Sequence, residues 1–346
     1  MKRSFMFICA AALLLTGCGA SADEASAQLF AMDTVMQLDA YGHQVKQAVS
    51  DAEETIQALE ARLSRTREDS LVSVLNQNGA AQDLSAAEQA LLSEALTFRD
   101  ATGGAFDITI APVMDAWGFT GDSYRVPAQD ELDALLENVN SDEIRLSGSS
   151  VTLGAGQAID LGGIAKGYTS DCVEAVFREN KIESGKISLG GNVFVLGGKP
   201  DGADWRVGIR DPQDENALAA VLTLRDAYAI TSGGYERYFT ENGNTYHHII
   251  DPSTGYPADS GLLSVTVVAE ANGPDFSGPG NGTMCDAFST ALFVMGEERA
   301  LEFWRTGDYD FDLVLVTADG RVIITDGLSD RFEVVKDSGY TYETVS

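Results

Sequence analysis

Strand-like and helix-like runs alternate along this 346-residue chain without a regular strand-helix-strand rhythm. That irregularity favours an α+β fold with antiparallel sheets over a doubly wound parallel one. The apolar residues Val45, Val49, Ala52, Ile56, Leu59 and Leu63 recur at steps of three and four, which marks an amphipathic helix. A second helix is expected from Ser85, where Ser85-x-x-Glu88 offers a capping box, to the Gly103-Gly104 pair. Further helices are read at Asp130 to Asn138, Lys166 to Asn180, Asp286 to Met295 and Glu297 to Arg305. Strands are read at Ile187 to Leu196, Trp205 to Ile209, Val221 to Leu224, Tyr246 to Ile250 and Leu263 to Val268. Ile144 to Leu153 reads as a hairpin around Ser147-Gly148, and Leu313 to Ile324 as one around Asp319-Gly320, a type I′ signal. Ala271 to Gly282 is too rich in Gly and Pro for either regular element.

The first residues belong to transport rather than to the fold. Lys2 and Arg3 precede an apolar stretch, Phe5 to Leu15, that is too short to span a bilayer, and Leu15-Thr16-Gly17-Cys18 closes it like a bacterial lipobox. The expectation is removal of residues 1–17, diacylation of Cys18, a tether over 18–28 and a domain over 29–340, held at the extracytoplasmic or periplasmic face of the membrane. No other run approaches the roughly 18 apolar residues of a membrane helix. The formal charge of −30, or −32 once Lys2 and Arg3 are removed, argues against nucleic acid as a partner and against a basic membrane-docking face. It leaves anionic ligands open, because these can bind through a metal ion and backbone amides. Cys172 and Cys285 lack the spacing of a metal site and read as buried apolar fillers or a single disulfide, the fillers being favoured.

Four segments join glycine clusters to isolated polar residues. Thr102 to Asp107 reads, taken alone, as a helix stop. Ile159 to Tyr168 carries Asp160, Gly162, Gly163 and Lys166 ahead of a helix, and fits an anion-binding loop and a plain strand-to-helix turn equally well. The spacing is not that of a Walker A loop. Thr231 to Pro257 contains His247 and His248, which point to opposite faces if the strand is regular, so a single functional histidine is expected rather than a zinc site. In Thr283 to Leu292, the Asp286 carboxylate and the Thr290 hydroxyl lie one helical turn apart, a spacing that suits Mg²⁺. An Asp286 that merely N-caps its helix fits the same residues, and on these residues alone is the favoured reading.

Taken together, six segments in register resemble the ApbE family of FAD:protein FMN transferases. They are Gly103 to Asp107, Asp160 to Tyr168, Ser188 to Asn192, Thr231 to Tyr235, His248 to Gly255 and Asp286 to Leu292. The resemblance implies one large ApbE-type, T-fold-like domain with antiparallel sheets flanked by helices. It implies Mg²⁺ held by Asp286, Thr290 and the carbonyl of Gly163, and FAD contacts from Met32, Ala105, Phe106, Asp107, Asp160, Lys166, Asn192 and His248. His248 would accept the proton of the acceptor hydroxyl, with Asp286 acting through the metal. The acceptor would be a threonine or serine of an extracytoplasmic protein, such as a redox-pump or reductase subunit. A Mg²⁺-dependent FAD pyrophosphatase and a non-catalytic flavin-binding lipoprotein are the competing readings. One position departs from the family pattern: Thr66 stands where an aromatic residue that stacks on the flavin is usual.

Overall fold

A computed structural model of the chain describes residues 23–121, 123–273 and 276–346. The leader and the expected lipidation site Cys18 lie outside the described residues. Nine strands make one sheet, and they follow one another across it in chain order: Glu24–Ala31, Thr34–Tyr41, Ser184–Leu189, Asn192–Leu196, Ala227–Gly233, Leu262–Glu270, Asp312–Thr317, Arg321–Thr325 and Thr341–Val345. Neighbours are antiparallel except the last two, which are parallel. This is the expected α+β architecture with antiparallel sheets. The helices among the described residues are α1 Val45–Leu63, α2 Leu71–Asn78, α3 Ala86–Ala101, α4 Ala111–Trp117, α5 Gln129–Leu136, α6 Ala165–Glu179, α7 Asn281–Met295 and α8 Glu297–Arg305. None of them is long and apolar enough to cross a membrane.

Because side chains alternate along a strand, the sheet feeds two cores. Phe194, Val267, Leu313 and Leu315 face α1, α6 and α7 and pack with Ile56, Phe177 and Phe288. Their neighbours Val195, Val268, Val314 and Val316 face a smaller sheet of strands Trp205–Asp211, Asp214–Leu224 and Phe332–Val334. The sheet is therefore covered on both faces, and the loops at one end are held by two packed layers. The capping box of α3 forms as read: Ser85 Oγ accepts from the Glu88 N–H, and Glu88 accepts from the Ser85 N–H. Cys172 and Cys285 are both free thiols, Cys285 fully buried, in line with fillers rather than a disulfide.

The structure differs from the sequence expectations in several places, among them the following. The tether gives way to a strand at Glu24, and the sheet continues to Val345, beyond the expected limits of 29 and 340; pairing with Thr34–Tyr41 and Arg321–Thr325 orders both ends. The run Ile187 to Leu196 is two strands, reversed at Gly190 and Gly191, which both have positive φ. The Leu313 to Ile324 hairpin does not use a type I′ turn: Gly320 has positive φ but Asp319 does not, and the Gly320 N–H donates to the Thr317 carbonyl. Lastly, α7 begins at Asn281. Asp286 therefore lies in the second turn and is not an N-cap.

Candidate active site

The helix entry at Gly162-Gly163 and helix α7 meet at one end of the sheet. A Cβ placed on Gly163 would stand 3.5 Å from Thr290 Oγ1 and 3.3 Å from the Phe106 ring, so the Thr290 hydroxyl lies against the Gly163 backbone. One turn earlier on α7, Asp286 is buried, and its Oδ2 accepts the Gly167 N–H at 2.8 Å. Burial raises the Asp286 carboxyl above the usual carboxylate range, against the charge of Lys166 and the N–H of Gly167. Ser232, on strand Ala227–Gly233, brings its hydroxyl to 3.1 Å from Thr290 Oγ1. Asn192, the first residue after the Gly190-Gly191 turn, faces Asp286, and its buried Nδ2 has no hydrogen-bond partner at bonding distance.

The two histidines diverge. His247 Nε2 lies 3.2 Å from the Ala258 carbonyl and its ring meets Phe293 edge-on, which places it in the packing. His248 leaves the strand Asn244–His247, and its Nδ1 lies 3.1 Å from the Arg237 carbonyl. Burial and then the charge of Lys166 press its pKa down to about 3. Lys166 thus stands close enough to act on both Asp286 and His248.

Met32 occupies the turn between the first two strands with a φ of 48°. Its N–H donates to Glu60 Oε1 at 2.8 Å, and its sulfur accepts the Thr169 hydroxyl of α6 at 3.6 Å. Asp160 Oδ1 accepts the Gly162 N–H at 2.6 Å, and its Oδ2 is 2.8 Å from Arg65 Nη1. Ala105 and Phe106 are buried, with Phe106 leaning on Gly163. Asp107 points elsewhere. Its carboxylate accepts from the Thr109 N–H at 2.8 Å, the Thr109 hydroxyl at 2.6 Å and the Ser141 hydroxyl, so the side chain is engaged in shaping a turn.

The sequence reading did not single out Arg65 or Arg237. Arg65 reaches Asp115 and Thr120 as well as Asp160. Arg237 pairs with Asp33, next to Met32, and donates to the Phe119 carbonyl at 2.9 Å, linking the first hairpin to the segment that carries His248. Neither role is visible in local sequence, because both partners are remote along the chain. Thr66 is exposed, with its hydroxyl 3.1 Å from Ser64 Oγ. An open cavity of about 480 Å³ lies beside Leu59, Arg62, Ser85 and Tyr168, and none of the expected site residues lines it.

The donors gathered at Gly163, Asp286 and Thr290 are hard oxygens, the kind Mg²⁺ takes. No group of three or more His, Cys, Asp or Glu positioned for a metal occurs among the described residues. The orphaned amide of Asn192 beside Asp286 is a further sign of a place built to receive a polar ligand.

Known proteins match this frame along most of its length. The FAD:protein FMN transferase of Treponema pallidum is 33% identical over 312 residues, 84% of this chain and 83% of that protein. That of Klebsiella pneumoniae is 35% identical over 68% of this chain and 70% of its own length. Among solved structures, the ApbE protein of Thermotoga maritima superposes with a TM-score of 0.77 at 30% identity, covering 91% of this chain and 97% of that one. The flavin transferase ApbE of Vibrio cholerae, at 24% identity and a TM-score of 0.74, shares the fold over 92% of this chain and 98% of its own. The model of the ApbE family matches residues 32–314. With its fold, its six segments and these relatives in agreement, the chain belongs to the ApbE family.

Proposed function

We propose that this chain is an FAD:protein FMN transferase that works with Mg²⁺. The reading is carried by one observation: the Thr290 hydroxyl lies against Gly163 while Asp286, a turn away, is held by the Gly167 N–H. In the reaction the hydroxyl oxygen of an acceptor threonine or serine attacks the phosphorus of the FMN half of FAD. The bond from that phosphorus to the bridging oxygen breaks, and AMP leaves with the electron pair. The acceptor becomes an FMN phosphoester, and the hydroxyl proton passes to His248.

Asp286, Thr290 and the Gly163 carbonyl would hold the metal. Mg²⁺ bound there supplies charge neutralisation of the diphosphate and stabilisation of the departing phosphate. Lys166 adds a second positive charge beside the same group. His248, with its pKa held low, stands unprotonated near neutral pH and can take a proton. Pairing of Lys166 with the diphosphate removes the charge that presses on the ring and makes the imidazole a stronger base in the complex. Met32 and the backbone at Ala105 to Asp107 line the approach for the nucleotide, and Asp160 with Asn192 completes it.

The lipobox-like Leu15 to Cys18 supports a lipid-anchored, extracytoplasmic enzyme, whose acceptor is then a protein of the same compartment, such as a redox-pump or reductase subunit. Mass spectrometry of candidate acceptors after incubation with the protein, FAD and Mg²⁺ tests the reading. The expected result is an FMN adduct on a threonine or serine, lost with Asp286→Ala by a factor of about 100 or more. Fast release of free FMN and AMP with no adduct on any acceptor points to hydrolysis and overturns the proposal. FAD binding with no turnover points to a carrier and does the same.

A further inference from the structure

Helices α6 and α7 carry the same small pattern, a glycine four residues before an aspartate: Gly167 and Asp171 on one, Gly282 and Asp286 on the other. The helices cross at the glycines. A Cβ on Gly167 would stand 2.2 Å from the Gly282 carbonyl oxygen, and one on Gly282 would stand 2.8 Å from the Gly167 carbonyl oxygen. At the crossing each aspartate accepts the other helix's glycine N–H. Gly167 donates to Asp286 Oδ2 at 2.8 Å, and Gly282 donates to Asp171 Oδ1 at 2.8 Å. Both glycines lie in the first turns of their helices, whose N–H groups have no partner within the helix. Two helix starts thus cap each other reciprocally.

The two aspartates differ in what else they hold. Asp171 also accepts from the N–H groups of Gly280 and Thr283, at 2.8 and 2.9 Å, from the Thr283 hydroxyl and from Asn272 Nδ2 at 2.8 Å. Asn272 is fixed in turn by Glu174 and Tyr228. Helix α7 has glycine at its N-cap, so its first turn is capped by side chains from elsewhere: Asp171 of α6 at Gly282 and Thr283, and the loop residue Asn272 at Asn281. Asp286, by contrast, accepts the Gly167 N–H at 2.8 Å and has the Asn192 amide and Lys166 beside it.

We infer that Asp171 is a positioning residue for Asp286: by fixing the first turn of α7 on α6, it sets where the Asp286 carboxylate meets a cation. The inference rests on the reading of Asp286 as a metal ligand. A displaced first turn carries the next turn with it, because the helix is a rigid element and no residue between Gly282 and Asp286 breaks it.

The test compares wild type, Asp171→Asn, Thr283→Val and Asp286→Ala as full-length proteins. Mg²⁺ is titrated without FAD and followed by thermal shift, and hydrogen exchange is measured on peptides covering Gly167. Asp171→Asn is expected to raise the Mg²⁺ midpoint about tenfold or more and to speed exchange at Gly167. Turnover of Asp171→Asn is expected to return to within about fivefold of wild type once Mg²⁺ saturates. Thr283→Val removes one donor to Asp171, and is expected to shift the midpoint the same way by a smaller factor; it keeps the test decisive if Asp171→Asn does not fold. An unchanged midpoint in the folded variants, or lost turnover that saturating Mg²⁺ does not restore, overturns the inference. If these variants behave as wild type while Asp286→Ala abolishes the Mg²⁺ response, the positioning role alone fails. If Asp286→Ala keeps the response, the metal assignment fails and takes this inference with it.

Discussion

Arg65 Nη1 stands 2.8 Å from Asp160 Oδ2, so the carboxylate of the proposed nucleotide contact Asp160 is already neutralised from within the chain. Both side chains are largely buried. Arg65→Ala would leave Asp160 unpaired in the path of an anionic diphosphate and would also free Asp115 and Thr120. FAD affinity, read by flavin fluorescence, is expected to fall on the order of tenfold. Arg65→Lys is expected to recover only part of the loss, because an ammonium cannot reproduce three contacts made by a planar fork. Unchanged affinity in Arg65→Ala would show that Asp160 does not face the nucleotide.

His248 gives a pH signature with a definite sign. Its native pKa is depressed to about 3, below the value of about 6.5 of an unfolded chain. The unfolded state therefore binds more protons between those limits. The stability it contributes is complete above about pH 6.5 and is lost as pH falls towards 3, with a slope of at most about 1.4 kcal/mol per pH unit. Urea unfolding of His248→Gln against wild type at several pH values is expected to show the mutant flatter across this window. In catalysis, kcat/KM should have no acid limb near neutrality from His248, and His248→Ala should slow turnover by about 10² to 10⁴. A wild-type-like rate in His248→Ala removes it as the base.

Thr66 is exposed, at the position where the family resemblance implies an aromatic residue. Thr66→Tyr adds a stacking face at the price of little, since the position is open to solvent. FAD is expected to bind about threefold to tenfold more tightly, as an aromatic pair contributes about 0.5–1.5 kcal/mol. The check is quenching of flavin fluorescence on titration. No change means that the flavin ring lies away from this loop.

Much of this was legible in the sequence for a physical reason. Periodicity fixed α1 because its apolar stripe must face the sheet, and the Ser85 capping box marked the start of α3. The i, i+4 pair of Asp286 and Thr290 was visible because a helix imposes it. The start of α7 was not. Asn281 and Gly282 are weak helix formers, and their N–H groups are taken by Asn272 Oδ1 and by Asp171, the latter 111 residues before Gly282. The inward turn of Asp107 was equally hidden, since Ser141 comes to it from a distant segment. Residues whose role depends on a partner far along the chain carry no local signal. The repeated glycine-to-aspartate step on α6 and α7 was in plain view, but its meaning needs the crossing of the two helices.

Two glycines four residues apart should respond to the same change with very different losses. At Gly163 an added Cβ meets Phe106 at 3.3 Å and Thr290 Oγ1 at 3.5 Å, contacts that close by shifts of a few tenths of an ångström. Its φ is not in the left-handed range, so alanine fits the backbone. If the carbonyl is what Gly163 contributes, Gly163→Ala should keep the fold at a cost of about 1 kcal/mol and keep activity within about fivefold. At Gly167 the added Cβ lies 2.2 Å from a backbone oxygen of α7 and 2.5 Å from Asp286 Cβ. Neither can move without parting the helices. Gly167→Ala is therefore expected to cost about 3 kcal/mol or more, and to displace the carboxylate even where the protein still folds. Melting temperature and Mg²⁺-dependent turnover of the two variants, measured side by side, decide the point. Equally large losses would mean that Gly163 cannot tolerate a side chain, and equally small ones that the α6–α7 crossing is looser than its atoms indicate.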